Sequence, residues 1–420
     1  MPQAASTTEP KERLLAVYVH PDSAEDEYAA EELEGLVEAA GGEAVGSVRQ
    51  RVERPTSALY VRSGKAQEVA AHAAEEQADA IVFDCELSGV QIRNLEEIVG
   101  RRVLDRPTLI LDIFARRART REGQLQVELA QLSYRLPRLM SVYTKFERQR
   151  GGIGMRGPGE TKLESDRRMV KARIAKLTAE IAKVKEHREL QRQDRERLPY
   201  PLVSLVGYTS AGKSTLMNRL ASTDLLADAM PFATLDPTTR LIEAQGSSAF
   251  FLSDTVGFIR RLPTTLVAAF RATLEEVATS DLLIHVVDSA RPEWEVQSDA
   301  VVETLATIGA GDIPVVTAFN KADLLPPGMA DRLCEEWPGS VAISAKTGQG
   351  MERLLQAIRC RLAGTRERVT ALVPYEQSAL VEACHRYGRV LREEYTPGGI
   401  EIEAEVPAEW AGRLRPFVGA

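Results

Sequence analysis

The sequence predicts a multidomain α/β protein. It reads as a small N-terminal parallel α/β domain, a long helical hairpin, a larger central α/β domain with a mostly parallel sheet, and a small C-terminal α+β domain. Three observations carry this reading. Apolar runs of strand length alternate with amphipathic helical stretches twice, over residues 11–114 and 199–364. Between them, over 115–198, two long helical patterns flank a break rich in glycine and proline. The tail, 365–420, reads as strand, helix and strand.

In the first domain "LLAVYVH" and "DAIVFD" are buried-strand runs, and "PTLILDIF" is expected as a further strand. The helices expected between them include "AEDEYAAEELEGLVEAAGG", closed by Gly41 and Gly42. Nothing in this domain forms a catalytic constellation. The first long helix is expected over 115–149, interrupted or bent at Pro137. The second runs from about Thr161 to Arg197, with Met169, Val170, Ile174, Leu177, Ile181 and Val184 at helical spacing. Two long helices around one loop imply an antiparallel hairpin. The central domain offers the strands "PLVSLVG", "AFFLSDTVG", "DLLIHVVD", "IPVVTAFNKAD" and "VAISAK".

Composition excludes several classes. The chain has 420 residues, 44% hydrophobic and 27% charged, ordinary values for a globular protein. No apolar run reaches the ~18 residues of a membrane span, and the first residues lack the apolar core of a secretory signal. The four cysteines are scattered, against a disulfide framework or zinc site and in favour of a reducing cytoplasm. His285 lies inside an apolar run and is expected as a core histidine. The net charge of −8 is uneven: residues 115–198 carry 22 Lys+Arg and 11 Asp+Glu, a balance of +11 against −19 elsewhere. Such a block fits either a local polyanion contact or a solvated helical face laced with ion pairs.

The break between the long helices contains Gly152-Ile153-Gly154-Met155-Arg156-Gly157, a literal G-x-G-x-x-G. That fingerprint needs a strand before it and a helix starting inside it. Here a charged helical pattern precedes it and Pro158 follows, so the match reflects glycine density alone.

The phosphate motif lies more than 50 residues further on. "GYTSAGKS", Gly207 to Ser214, fits G-x-x-x-x-G-K-[ST] and stands between an apolar strand and a helical segment. Its residues Gly207, Tyr208, Thr209, Ser210, Ala211 and Gly212 would turn backbone N–H groups toward phosphate oxygens. Lys213 would reach the β- and γ-phosphates, and Ser214, followed by Thr215, would give its hydroxyl to Mg²⁺. "DTVG", Asp254, Thr255, Val256 and Gly257, ends an apolar strand 47 residues after Gly207. Asp254 would hold Mg²⁺ through a water, and the Gly257 N–H would meet the γ-phosphate. "NKAD" specifies the base: Asp323 accepts from guanine N1–H and N2–H₂, which adenine lacks in that place. Asn320 would bridge the base edge and the phosphate loop, and the Lys321 stem would cover the ring. In "SAK", Ser344, Ala345 and Lys346, the Ala345 N–H would donate to guanine O6.

These four motifs, in this order and each at a strand end, resemble those of the translation-factor-related P-loop GTPases. The segments "FATLDPTTR" and "RGGIGMRGPGETKLESDRR", with the preceding α/β domain, narrow the resemblance to the HflX family of ribosome-associated GTPases over about residues 11–364. The resemblance implies GTP binding by Phe232, Ala233, Thr234, Leu235 and Asp236, with Thr234 as the Mg²⁺-binding switch threonine. From chemistry alone Thr238 or Thr239 would serve as well. Lys213, Thr234 and Gly257 are the expected catalytic groups. Phe258 stands where Ras-like enzymes carry a water-orienting glutamine, so slow intrinsic hydrolysis, completed by a partner, is expected.

The resemblance further implies a soluble cytoplasmic monomer that binds GTP or GDP and the large ribosomal subunit with its RNA. It implies release or rescue of stalled ribosomes, with no DNA partner and at most peripheral membrane association. The basic hairpin agrees with an RNA contact, and Arg150, Arg156, Lys162, Arg167 and Arg168 are the candidates. The competing expectation is a regulatory GTPase that acts through a protein or membrane partner without the ribosome.

Overall fold

The computed structural model describes residues 11–19, 26–148, 158–196, 200–221, 232, 238–242, 249–260, 276–363 and 366–418. The chain divides into two compact units. One takes in Met1–Lys185 with Asp228–Asp236 and Arg260–Ala272; the other takes in Glu186–Ala227, Pro237–Ile259 and Thr273–Ala420.

The first unit is built on a parallel four-stranded sheet in the order β2-β1-β3-β4. The strands are β1 (Glu12–Tyr18), β2 (Gly42–Arg49), β3 (Ala80–Phe83) and β4 (Arg102–Asp105). The helices between them are α1 (Asp26–Ala39), α2 (Ser63–Glu75) and α3 (Gly89–Val99). Strand residues Leu15, Val17, Ile81 and Phe83 bury against Val69, Ala73 and Leu95 of the helices. Helix α3 opens with a full capping box: Ser88 accepts from the Gln91 N–H, and the Gln91 side chain accepts from the Ser88 N–H.

The run "PTLILDIF" is not a strand. It forms most of α4 (Arg106–Arg117), and the sheet strand is the shorter β4 before it. Asp105 decides this. Its carboxylate accepts from the Thr108 N–H at 3.1 Å as an N-cap, and Pro107 occupies the first turn, where a missing N–H costs nothing. Asp105 is fully buried and also accepts from the Tyr134 hydroxyl at 2.5 Å and Arg138 at 2.8 Å. It therefore ties α4 to α5 (Arg121–Arg148), the first long helix, which carries Pro137 within it. The second long helix, α6 (Pro158–Glu196), comes alongside through Arg173, which forks across both Glu128 oxygens at 2.7 Å. That pair is open to solvent, where water and salt screen the attraction, so it guides how the helices meet more than it stabilises them.

The second unit holds a six-stranded sheet in the order β10-β9-β8-β5-β7-β6. Strands β5 (Leu202–Val206), β7 (Phe250–Asp254), β8 (Leu282–Asp288), β9 (Val315–Asn320) and β10 (Val341–Ala342) run parallel. Strand β6 (Thr238–Ile242) joins antiparallel at the edge, a strand that the sequence pattern did not announce. Buried Val203, Leu205, Leu252, Leu282, Ile284 and Val316 form the core with Leu216 and Met217 of α7 (Lys213–Ala221). The C-terminal residues form a separate antiparallel sheet, β11-β13-β12, from Arg366–Val373, Gly399–Pro407 and Arg389–Thr396. Of these the sequence pattern missed β12.

Candidate nucleotide site

Five parallel strands of the second unit end on the same side, and each of the four motifs follows one of them. This is where an open α/β sheet binds ligands, because backbone groups there are released from the ladder. Gly207 leaves β5 directly against β8: a Cβ on it would meet the Val286 carbonyl oxygen at 2.3 Å. The loop then turns through Ser210, φ 62°, and Gly212, φ 96°. It enters α7 at Lys213, so the helix N-terminus with its free N–H groups closes the loop.

The Lys213 ammonium donates to the carbonyls of Gly207 and Tyr208 at 3.0 and 2.8 Å. Burial lowers its pKa to about 8, against the opposing pull of Asp254. A lysine held dry and cationic at the mouth of an N–H-lined loop is suited to an anionic ligand. Ser214 Oγ donates to Asp254 Oδ2 at 2.7 Å, with Asp254 almost fully buried at the end of β7. A hydroxyl and a carboxylate this close are a hard-oxygen donor pair of the kind Mg²⁺ takes, so the residues present fit that ion.

After Asp254 the chain runs beside the phosphate loop. Thr255 Oγ1 donates to the Leu205 carbonyl at 2.5 Å, and a Cβ on Gly257 would lie 3.0 Å from Lys213 Nζ. Phe258 is 2% exposed. Its N–H donates to the Gly207 carbonyl at 3.1 Å, and its carbonyl accepts from the Thr209 N–H at 2.8 Å. Phe258 thus takes the hydrophobic-plug role, pinning the "DTVG" segment to the loop while offering no polar side-chain atom to a water.

At the base end Asn320 is buried and bonded in two directions. Its Nδ2 donates to the Ala211 carbonyl at 2.8 Å, and its Oδ1 accepts from the Ala345 N–H at 2.9 Å. The bridge to the phosphate loop is the one expected from the sequence. The Ala345 N–H, expected to serve guanine O6, is here donated to Asn320 Oδ1, so O6 would have to enter as a second acceptor beside it. Lys321, φ 63°, sends its ammonium to Asp288 Oδ2 at 2.6 Å. Asp323 is exposed, so its selectivity for guanine would arise only when the base itself covers the carboxylate. Ser344 is fully buried and accepts at Oγ from the Thr347 N–H at 3.1 Å.

Not all of the other sequence-predicted residues fall within the described residues. Ala233, Thr234, Leu235 and Asp236 lie outside. Phe232 is 2% exposed, and its ring stands edge-on to Phe114 at 4.6 Å, within the first unit. Thr238 and Thr239 are on β6; Thr238 is paired with Asp254, and Thr239 Oγ1 donates to Ser253 Oγ at 3.5 Å. Arg150, Arg156 and the Lys162 side chain fall outside the described residues, while Arg167 and Arg168 are exposed on α6. Sequence reasoning missed Asp288, the partner of Lys321, and Arg219 in the last turn of α7. The available signals were an acid ending the strand "DLLIHVVD" and a cation at a helix C-terminus.

Comparison with known proteins shows the family. Residues 27–115 match the model of the GTP-binding GTPase N-terminal family, residues 117–195 that of the GTP-binding GTPase middle region, and residues 202–321 that of the 50S ribosome-binding GTPases. The GTPase HflX of Caldanaerobacter subterraneus is 43% identical over 97% of this chain and 94% of its own length. This chain belongs to the HflX GTPase family. The Escherichia coli GTPase HflX is 41% identical over 95% of both chains. A solved structure, a GTP-binding protein from Sulfolobus solfataricus in complex with GDP, is 27% identical over 83% of this chain and 98% of that one, with a TM-score of 0.44. As an HflX family member the chain is a GTP hydrolase. Among the described residues no helix is long and apolar enough to cross a membrane.

Proposed function

We propose that this HflX family GTPase binds the large ribosomal subunit and couples GTP binding and hydrolysis to the dissociation or rescue of stalled ribosomes in the cytoplasm. GTP is held by the loop Gly207–Thr215, with Asn320, Asp323 and Ala345 on the base. Lys213 neutralises the β- and γ-phosphates, and the Gly257 N–H reports the γ-phosphate. Ser214 and a switch threonine, Thr234 by family resemblance, would hold Mg²⁺, with Asp254 reaching it through water. Held there, Mg²⁺ would supply positive charge against the negative charge that develops during hydrolysis. The helical region 115–198 would reach ribosomal RNA through its basic tip, and 199–364 would act as the GTPase domain.

The observation that carries the nucleotide assignment is the Asn320 bridge, which fastens the base-specifying motif to the phosphate loop. The ribosomal part is supported by the family of residues 202–321 and by the +11 charge of residues 115–198. Phe258 offers no water-orienting atom, so a partner completes the catalytic set. The test is cosedimentation with large subunits in GTP-analogue and GDP forms, paired with single-turnover hydrolysis with and without subunits. Analogue-dependent binding and a faster turnover on subunits are expected. Equal rates and no cosedimentation would favour a regulatory GTPase with a protein or membrane partner.

A further inference from the structure

We propose that Arg219 is a positioning residue for guanine selectivity, acting through the backbone of Ala345 and Lys346. This rests on the assignment of the Ala345 N–H to guanine O6 made above.

Arg219 lies in the last turn of α7, the helix whose first residues are Lys213 and Ser214. Its side chain reaches away from the phosphate end. Nε donates to the Ala345 carbonyl at 3.2 Å, and Nη2 donates to the Lys346 carbonyl. Ala345 is thereby gripped on both sides. Its N–H is given to Asn320 Oδ1, and its carbonyl is taken by the guanidinium. The two peptide planes that meet at its Cα are each held, which fixes the direction of the N–H that would meet O6. The planar fork of an arginine suits adjacent carbonyls better than the single point charge of a lysine. Charge-assisted bonds of this kind are stronger than neutral ones.

The surrounding turn leaves room for the guanidinium. Gly348, φ 91°, stands beside it: a Cβ there would lie 3.8 Å from the guanidinium carbon. The Gly348 N–H donates to the Ser344 carbonyl at 2.8 Å, and the Ser344 N–H donates to the Gln349 carbonyl at 3.0 Å, closing the turn. Among the described residues the Arg219 fork is given to these two carbonyls. One helix thus carries phosphate-binding groups at its start and holds the base-reading loop at its end.

The experiment measures the affinities of GDP and 6-thio-GDP for wild type, Arg219→Ala and Arg219→Lys. The sulfur analogue keeps N1–H and N2–H₂ for Asp323 and puts a larger, weaker acceptor at position 6. Wild type is expected to prefer GDP. In Arg219→Ala, GDP binding should weaken about tenfold, the scale of losing a charge-assisted bond, while 6-thio-GDP weakens far less, so the preference shrinks. Arg219→Lys should fall between them. The ratio of two affinities does not depend on the folded fraction, and the lysine variant carries the test if the alanine variant is unstable. A preference fully retained in both variants, whatever the absolute affinities, would overturn the proposal. Equal binding of the two nucleotides by wild type is a different failure: it removes the O6 assignment on which the proposal stands.

Discussion

Asn320 Nδ2 donates to the Ala211 carbonyl across 109 residues of chain, and both groups are buried. This bond joins the loop that would hold phosphate to the loop that would read the base. Replacing Asn320 by Ala leaves the Ala211 carbonyl and the Ala345 N–H buried without that partner. Each orphaned group costs about 1–3 kcal/mol. Asn320→Ala should therefore lower the stability of the second unit by on the order of 2 kcal/mol and weaken GDP binding at least tenfold. Urea unfolding followed by tryptophan fluorescence, and GDP titration, check both. A variant with wild-type affinity would show that the bridge is not needed for the site.

Gly212 and Gly348 separate two costs that are usually confounded. Both have positive φ, 96° and 91°. A Cβ on Gly212 would approach Asn320 Nδ2 to 2.3 Å, whereas one on Gly348 meets nothing nearer than 3.8 Å. Gly348→Ala should cost only the left-handed backbone, about 1–2 kcal/mol, and keep nucleotide binding. Gly212→Ala should displace Asn320 as well and abolish measurable GDP binding. Equal effects of the two variants in parallel titrations would refute the steric reading.

The sequence made the nucleotide motifs legible because they are local: each is a few residues at the end of an apolar strand. Asp254 and Asn320 could be placed from that alone. Elements decided by longer-range contacts were harder. "PTLILDIF" reads as a strand by apolarity, and the buried Asp105 cap that starts a helix there is recognised only once Tyr134 and Arg138 are seen to hold it. Strand β6 is half exposed and short, so its pattern carries little signal, and it is defined by pairing with β7. Arg219 was illegible for the same reason: its partners are backbone carbonyls more than 120 residues away.

His285 gives a pH dependence. It is buried in β8, as its apolar neighbours imply, and its pKa is lowered to about 4, by burial first and by the charge of Lys213 second. An unfolded histidine titrates near 6.5. Between about pH 6.5 and 4 the unfolded chain binds a proton that the folded one refuses, so stability falls as pH falls through that window and is flat above it. The penalty approaches on the order of 3 kcal/mol at the acid end. The difference in unfolding free energy between wild type and His285→Gln, measured at several pH values, should slope across this window and level off above pH 7. A difference constant with pH would mean that His285 takes up its proton in the fold as readily as in the unfolded chain.

Phe232 and Phe114 define the last prediction. Phe232 lies in the segment that the family resemblance assigns to GTP, yet its ring is buried edge-on against Phe114 at 4.6 Å, with a backbone φ of 58°. Such ring pairs contribute about 0.5–1.5 kcal/mol beyond the area they bury. Leucine at either position keeps most of the apolar surface and removes the aromatic geometry. The two single variants Phe114→Leu and Phe232→Leu should each destabilise the first unit by about 1 kcal/mol. The double variant should lose less than their sum, because the pair is lost only once. Additive losses in thermal or urea unfolding would show that the rings do not interact. If the ring instead served the nucleotide, Phe232→Leu would weaken GDP binding while Phe114→Leu would leave it alone, so GDP titration of the same variants separates an anchor from a ligand.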